Sequence, residues 1–236
     1  MVATGSYAFF ELVAALAPHA DPQELASRHA QRLGRRMLRV LGVDLSVVGE
    51  IPDRVPGRGR LVVANHRAAT DIGVMLALFG GALVARADMA NWPLVGLMAS
   101  RTGTIFVDRA DRRSGARAIR IMRRRLAAGG TLGIFPEGGT LTGDEVRPFQ
   151  PGAFVAARGL DVEVIPVGVA VPLGLEYVGV SFGEHVSRVA ARARTPVTVV
   201  VGEPMRVEVR ARDQAELCRS RVAELVREAR SRQDRR

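Results

Sequence analysis

The sequence contains no lysine, since all 34 residues counted as Lys+Arg are arginine. Without a lysine amine, the chain cannot form a Schiff base with a carbonyl substrate or with pyridoxal phosphate. It also cannot supply the lysine of a Walker A loop or of a kinase-type nucleotide site. Several classes of enzyme are therefore excluded before any motif is considered.

Cysteine and aromatic residues are scarce as well. The one cysteine, Cys218, excludes an intramolecular disulfide and a cysteine-based zinc cluster, and it fits a reducing cytosol. Aromatic residues make up 5% of the chain, which leaves few platforms on which single-stranded bases could stack. No zinc, RRM or helix-turn-helix signature is present, so we expect no nucleic-acid partner.

Long apolar runs are missing too. The longest stretch without Asp, Glu, Arg or His covers residues 72–85, which is 14 residues interrupted by Gly80-Gly81. A spanning helix needs about 20 apolar residues. Residues 2–16 are apolar, but they contain Glu11 and lack a basic start, which is poor for a signal peptide. They fit either an amphipathic segment lying on a bilayer or the first helix of the fold.

The chain does have an excess of positive charge. Its 34 basic and 24 acidic residues give a net charge of +10, which attracts nucleic acid, anionic lipid, acidic carriers or phosphorylated substrates. Basic amphipathic helices are expected over residues 22–41 and 112–128. Each fits a membrane surface or an acidic partner, and equally a solvated face above a core-facing stripe.

Short apolar runs alternate with helical patterns along the rest of the chain. Strands are predicted at residues 45–48, 60–64, 82–85, 104–107, 132–135, 162–169 and 197–201. Helices are predicted at residues 71–79, 92–100, 112–128, 152–158 and 212–230. Uniformly apolar strands are typical of a sheet covered on both faces. The pattern predicts an α/β fold: one layered sandwich with a mostly parallel central sheet flanked by helices, preceded by N-terminal amphipathic helices.

Histidine and aspartate flank the turn after the second strand. On a continuous helix, His66 and Asp71 would point about 140° apart and could not hydrogen-bond. At a strand-to-helix turn, the loop brings His66 back towards the first helical turn, where a carboxylate is also favoured. The pair then resembles a general base oriented by an acid. The alternative is a loop histidine beside a helix-capping aspartate.

Two further polar clusters also follow strands. Arg109 ends the strand 104–107, and its guanidinium suits a phosphate at the carboxyl edge of a sheet. Glu137 and Gly138 follow the strand 132–135, where glycine lets backbone amides approach an anion or a substrate. The alternatives are a surface Asp–Arg pair and an ordinary glycine-rich turn.

Taken together in their order, these clusters resemble the blocks of the glycerolipid acyltransferase superfamily, which includes lysophosphatidic acid acyltransferases. The first block, Asn-His with Asp after four residues, is matched by Asn65, His66 and Asp71. The later blocks are matched by Gly103, Phe106 and Arg109, by Phe135 to Gly138, and by Val164 to Val167. The resemblance covers roughly residues 61–204.

The resemblance implies that His66, held by Asp71, removes a proton from an acceptor hydroxyl, which attacks an acyl thioester without an acyl-enzyme. It implies substrate-binding roles for Asn65, Gly103, Arg109, Glu137 and Gly138, with Arg101 a further candidate. The implied partners are a lysophospholipid acceptor, acyl-CoA or acyl carrier protein as co-substrate, and an anionic membrane surface. No metal or resident cofactor is implied.

The amphipathic pattern of the N-terminal part divides the chain into a segment that fits membrane association, residues 1–42, and an acyltransferase part of the same domain, residues 43–236. The resemblance places the protein in the cytoplasm, peripheral on the plasma membrane. An apolar groove for the acyl chain is expected along residues 72–78 and 92–98. Two positions depart from the family pattern, Gly139 and Gln150, so the acceptor stays open between a phosphate-bearing lysolipid and an ornithine-type one.

Two other functions are considered. Gly179-Val180-Ser181-Phe182-Gly183 spells the nucleophile-elbow pattern of a serine hydrolase. An α/β-hydrolase needs an acid and then a distant histidine after the serine, whereas the only later histidine, His185, is four residues away. We therefore interpret the match as chance. A non-catalytic module that binds anionic membranes is the second alternative, based on charge alone.

Overall fold

The computed structural model describes residues 22–92, 96, 99 and 101–236. The apolar segment 2–16 and most of the predicted helix 92–100 lie outside these residues. Among the described residues, eight strands form one sheet: β1 Val43–Val48, β2 Gly59–Ala64, β3 Ala82–Arg86, β4 Ile105–Val107, β5 Thr131–Ile134, β6 Val162–Ala170, β7 Thr195–Val201 and β8 Met205–Arg206. The helices whose bounds lie within the described residues are α1 Pro22–Val40, α2 Thr70–Phe79, α3 Arg112–Ala127, α4 Gly152–Ala157, α5 Phe182–Ala190 and α6 Ala211–Gln233, with a short 3-10 helix at Ala87–Asn91.

The strands are ordered β1-β7-β6-β2-β5-β3-β4, and β8 pairs with β6. All pairings are parallel except those of β6 with β7 and with β8, which are antiparallel. The carboxyl ends of β6, β2, β5, β3 and β4 therefore meet at one edge of the sheet. The mostly parallel sheet expected from the sequence is confirmed, while β1, β7 and β8 run opposite to the other five strands.

Helices cover both faces of the sheet, as the alternation within β2 illustrates. Leu61 and Val63 belong to one buried cluster, with side chains from α3, α4 and α6. Val62 and Ala64 belong to a second, with side chains from α1 and α2. All four are fully buried. Because successive strand residues point to opposite faces, an uninterrupted apolar strand requires helices on both sides. The predicted layered α/β sandwich is confirmed.

Helix α1 uses its apolar stripe inside the fold. Ala30 and Leu38 are buried against α2, and the amide of Gln31 donates to the carbonyl of Leu78 at 3.2 Å. A Cβ on Gly34 would lie 2.4 Å from the backbone nitrogen of Ala77, so glycine permits this close crossing. The apolar stripe of α1 thus packs inside the fold, and its arginines form a charged outer face.

Helix α2 does not offer the apolar groove expected along residues 72–78. Its side chains at Val74, Met75, Leu76 and Ala77 are all buried between the sheet and α1. That expectation was wrong for α2, because an all-round apolar helix here fills the core. Residues 92–98, along which the apolar groove was also expected, lie mostly outside the residues that the structure describes. Among the helices that are described, none is both long and apolar enough to cross a membrane.

Candidate active site

The turn between β2 and α2 brings His66 and Asp71 together. The imidazole Nδ1 lies 2.9 Å from Asp71 Oδ2, so the ring donates to the carboxylate. Asp71 lies in the first turn of α2, whose N-cap is Ala69. A carboxylate is stabilised there by the partial positive charge of the helix N-terminus. The strand-to-helix turn thus forms the pair that a continuous helix could not.

The Asp71 carboxylate is fixed by more than the histidine. Oδ2 also accepts the backbone N–H groups of Arg67 at 2.6 Å and of Ala68 at 2.8 Å. The side chain is fully enclosed, with none of its surface exposed. Asp71 therefore both shapes the loop and presents a fixed negative charge to Nδ1 of His66.

His66 remains accessible while its ring is held in place. The imidazole stacks on Phe135, with ring centroids 4.1 Å apart and planes inclined by 15°. Its side chain keeps 16% of its surface exposed. With Nδ1 donating to Asp71, the neutral ring carries a lone pair on Nε2, and no described residue hydrogen-bonds to that nitrogen. This arrangement suits a general base.

Glu137 lies beneath the histidine loop and does not face solvent. Its carboxylate accepts the backbone N–H of His66 at 2.9 Å and that of Arg147 at 3.1 Å. It also accepts two hydrogen bonds from the Arg67 guanidinium, at 2.8 and 3.2 Å. None of its side chain is exposed. The expectation that this carboxylate holds the acceptor is therefore contradicted, because its acceptor sites are used within the chain.

The Arg67 side chain was not singled out from the sequence. Its guanidinium donates to Glu137 and to the carbonyl oxygens of His66, Gly143 and Glu145. All five of its N–H donors thus have acceptors, as a buried arginine requires. Nothing in the motif itself distinguishes Arg67 from the surface arginines, because all its partners except His66 lie 70 to 78 residues later in the sequence.

Asn65 also turns out to be internal to the fold. Its amide donates to the carbonyl of Val169 at 2.8 Å and accepts the N–H of the same residue at 2.8 Å. The side chain is fully buried. The expected role in substrate binding is contradicted, because both polar atoms are engaged. Asn65 instead ties the end of β2 to β6, directly before His66.

Arg109 lies across the turn that follows β5. Its Nη1 donates to the carbonyl of Gly138, and the residue is otherwise exposed. Partial burial and, to a smaller extent, the neighbouring Arg86 lower the pKa of the Arg109 guanidinium, and the two neighbouring cations attract an anion. Gly138 follows Glu137, which holds His66. Arg109 is therefore connected to the His66 loop through one short turn, and its role in substrate binding stays a prediction.

The two remaining candidates lie just before β4. Gly103 has a φ of +66°, and a Cβ there would lie 2.9 Å from the guanidinium of Arg125. Glycine is therefore explained by the turn and by this close approach. Arg101 is exposed two residues earlier. The binding roles of Gly103 and Arg101 stay predictions.

Ser181 has the geometry of a helix cap and not of a nucleophile. Its hydroxyl accepts the N–H of Glu184 at 3.2 Å at the start of α5, and residues 176–180 form bends where the elbow pattern needs a strand. Cys218 is fully buried in α6, and burial raises the pKa of its thiol to about 12. A thiol in that environment is inert as a nucleophile.

The fold and this His–Asp site define a class of acyl-transferring proteins, and comparison with known proteins agrees. The model of the Acyltransferase family matches residues 46–170. The chain belongs to this family, and the resemblance drawn from the sequence blocks is confirmed. The crystal structure of the 1-acyl-sn-glycerophosphate (LPA) acyltransferase PlsC from Thermotoga maritima has the same fold. It covers 95% of this chain and 88% of its own, with 23% identity and a TM-score of 0.68.

Two relatives illustrate the range of acceptors. A lyso-ornithine lipid O-acyltransferase of Rhizobium meliloti is 32% identical over 67% of this chain and 53% of its own length. A 1-acyl-sn-glycerol-3-phosphate acyltransferase of Neisseria meningitidis serogroup B is 31% identical over 61% of this chain and 56% of its own. The match with this chain thus spans little more than half the length of each relative.

Proposed function

We propose that the protein transfers a fatty acyl group from an acyl thioester to the hydroxyl of a lysolipid. The observation that carries this proposal is the enclosed Nδ1–Oδ2 hydrogen bond between His66 and Asp71, which leaves Nε2 of an accessible ring without a described partner. The thioester donor is acyl-CoA or the acyl thioester of acyl carrier protein. The default acceptor is 1-acylglycerol-3-phosphate, as for the relative from Neisseria.

In this mechanism, Nε2 of His66 takes the proton of the acceptor hydroxyl as its oxygen attacks the thioester carbonyl. Asp71 stabilises the imidazolium that forms, since its fixed negative charge lies 2.9 Å from Nδ1. The tetrahedral intermediate then collapses with loss of the thiolate, which takes the proton back from His66. The products are an ester and a free thiol, and no covalent acyl-enzyme is required.

Arg109 is the proposed ligand for the anionic head group of the acceptor. Its guanidinium has one described hydrogen bond, to Gly138, so most of its five donors remain for a ligand. A planar guanidinium can hold a phosphate or carboxylate through two parallel hydrogen bonds. The polar side-chain atoms of Glu137 and Asn65 form hydrogen bonds within the protein and support the loop that carries His66. Arg109 is therefore the residue that we propose to contact the acceptor.

An ornithine-type lysolipid is the second candidate acceptor. It is favoured by the relative from Rhizobium, and by Gly139 and Gln150, which stand where the family pattern commonly has Thr and Lys. Arg109 could bind the carboxylate of such a head group as well as a phosphate. The two candidates therefore share the same chemistry at His66 and differ in the anion at Arg109.

Helix α3 offers a surface for an anionic partner. Arg112, Arg113, Arg117, Arg120 and Arg124 are exposed, and no acidic residue lies on this helix. On α6, by contrast, several arginines pair with glutamates three or four residues away. The uncompensated charge of α3 suits the acidic donor or the anionic leaflet of a membrane. We propose that the protein acts peripherally on the cytoplasmic face of the plasma membrane, and the charge of α3 supports this proposal.

A panel of acceptors tests the proposal. The purified protein is incubated with acyl-CoA or acyl carrier protein thioester and with 1-acylglycerol-3-phosphate, a lyso-ornithine lipid or a neutral lysolipid, and products are identified by mass spectrometry. We expect a diacyl product from 1-acylglycerol-3-phosphate or from the lyso-ornithine lipid, whose head groups carry a phosphate and a carboxylate respectively. The absence of any acylated product from every pair would contradict the proposal.

The role of Arg109 has a matched control. Arg230 of α6 donates to the carbonyl of Val171, just after β6, so Arg212 lies about 27 Å earlier along the helix, towards the opposite edge of the sheet. We expect Arg109→Gln to raise KM for the anionic acceptor at least tenfold, and Arg212→Gln to leave it unchanged. Equal effects of the two substitutions would contradict a specific role for Arg109.

A further inference from the structure

His185 is a second histidine enclosed beside the His66–Asp71 pair. It lies on α5, with 1% of its surface exposed. Its ring packs against Tyr177, with centroids 5.1 Å apart and planes inclined by 40°. Its Nε2 lies 3.1 Å from the backbone nitrogen of Ala69 and accepts that N–H across 116 residues of sequence. The ring thus contacts the turn that joins the two residues of the pair.

The Ala69 N–H needs an external acceptor. The first N–H groups of a helix have no carbonyl within the helix to bind, and Ala69 is the N-cap of α2 without a capping side chain of its own. Asp71 accepts the two preceding N–H groups, those of Arg67 and Ala68. His185 accepts the next one. Two side chains therefore fix three consecutive N–H groups between His66 and Asp71.

We propose that His185 is a positioning residue. By accepting the Ala69 N–H through Nε2, it holds the first turn of α2, and with it Asp71, where the carboxylate pairs with His66. Without this acceptor, the Ala69 N–H would be left buried and unsatisfied, and the turn would move to find a partner. A displaced turn would shift the carboxylate that orients the general base.

The hydrogen bond also defines the protonation of His185. Since Nε2 accepts, the neutral ring carries its proton on Nδ1. Burial lowers the pKa of His185; Asp71 acts in the opposite direction, and Arg188 and His66 add to the lowering. Tyr177 is a further titratable group that packs against the ring. A neutral His185 leaves the charge of Asp71 to stabilise the imidazolium of His66.

Two substitutions separate positioning from packing. In His185→Gln, Oε1 can accept the Ala69 N–H, whereas His185→Phe keeps a ring beside Tyr177 and accepts nothing. We expect His185→Phe to lower kcat roughly 10- to 100-fold with little change in KM, and His185→Gln to stay within about threefold of the wild type. Equal losses in both variants, or an unchanged kcat in His185→Phe, would overturn the proposal.

The kinetic test depends on the proposed function, so a second readout is independent of turnover. The chain has four histidines, and the ring nitrogens can be observed by 15N–1H NMR. We expect an Nδ1-protonated signal that disappears in both variants, and a His66 Nδ1–H signal that is lost or shifted in His185→Phe but retained in His185→Gln. An Nε2-protonated His185 in the wild type would overturn the proposal even if the protein acylates lysolipids. If the expected spectra are observed but the protein acylates no lysolipid, the proposed function is overturned, whereas the positioning of the turn by His185 is not.

Discussion

The guanidinium of Arg67 and the carboxylate of Glu137 form a buried ion pair with two hydrogen bonds, although 70 residues separate them in sequence. The side chains are 1% and 0% exposed. The pair joins the turn after β2 to the turn after β5, and Glu137 also accepts the N–H of His66. Two strand ends that are neighbours in the sheet are thereby held as one rigid site.

Breaking this pair should destabilise the protein. Glu137→Gln leaves the Arg67 charge buried without its partner, which is expected to lower the free energy of unfolding by about 3–5 kcal/mol. Urea unfolding measures this loss. The control is Glu224→Gln, which breaks an exposed pair with Arg221 and should cost less than about 1 kcal/mol. Similar small losses in both variants would show that the buried pair contributes no more than a surface one.

The charge of Asp71 should matter more for turnover than for folding. Asp71→Asn keeps the size of the side chain, but it no longer offers a carboxylate to Nδ1 of His66. We expect kcat to fall by roughly 10³-fold or more. Circular dichroism should show the wild-type fold. A kcat within tenfold of the wild type would mean that the carboxylate does not orient or stabilise the histidine.

Substitutions at Gly138 and Gly139 form a matched pair that tests the turn after β5, to which Arg109 hydrogen-bonds. A Cβ on Gly138 would lie 2.6 Å from Nη1 of Arg109, and its φ is +92°, so Gly138→Ala should strain the turn and displace the guanidinium. We expect KM for the acceptor to rise several-fold. A Cβ on Gly139 would meet no atom within 4 Å, so Gly139→Ala should have little effect. Indistinguishable kinetics would exclude a role for this turn.

Stability should depend on the protonation of His185. Burial lowers its pKa from the ordinary 6.5, so the folded state binds fewer protons than the unfolded state just below that pH. The contribution of His185 is therefore complete above about pH 6.5 and is lost as the pH falls further. Urea unfolding at several pH values should show a shallower acid loss in His185→Gln than in the wild type. If the free energy of unfolding falls equally steeply with decreasing pH in the two proteins, protonation of His185 does not contribute to the acid loss of stability.

Neither Ser181 nor Cys218 should be needed for turnover. Ser181→Ala removes the cap of α5, which is expected to cost about 1 kcal/mol of stability but no activity. Cys218 should resist maleimide labelling in the native protein, since its thiol is buried. Complete loss of activity in Ser181→Ala, measured under conditions where it is folded, would restore the hydrolase hypothesis.

The apolar strands and the order of the blocks were sufficient to predict the layered sheet and the His66–Asp71 pair, because both depend on local patterns. The contacts of Asn65, Glu137, Arg67 and His185 could not be predicted in this way. Each depends on a partner about 70 to 116 residues away. A motif identifies a polar residue, but only the fold determines whether its side chain faces a ligand or forms hydrogen bonds within the protein.

The antiparallel placement of β7 was also beyond the sequence pattern. Its apolar run looks the same whether the strand pairs in one direction or the other, and β8 has only two residues. The connection through α5 begins at the carboxyl end of β6, and β7 starts at that same edge of the sheet. Strand β7 therefore runs antiparallel to β6. Neither feature changes the edge at which the site is formed.

The central claim is that His66 is the general base of a lysolipid acyltransferase. The most direct measurement is the rate of free-thiol release from acyl-CoA in the presence of the acceptor identified by the panel, compared between wild type and His66→Ala. We predict acceptor-dependent thiol release in the wild type and its loss by at least 10³-fold in His66→Ala, with the fold retained. Acceptor-dependent release that survives removal of His66 would contradict the account.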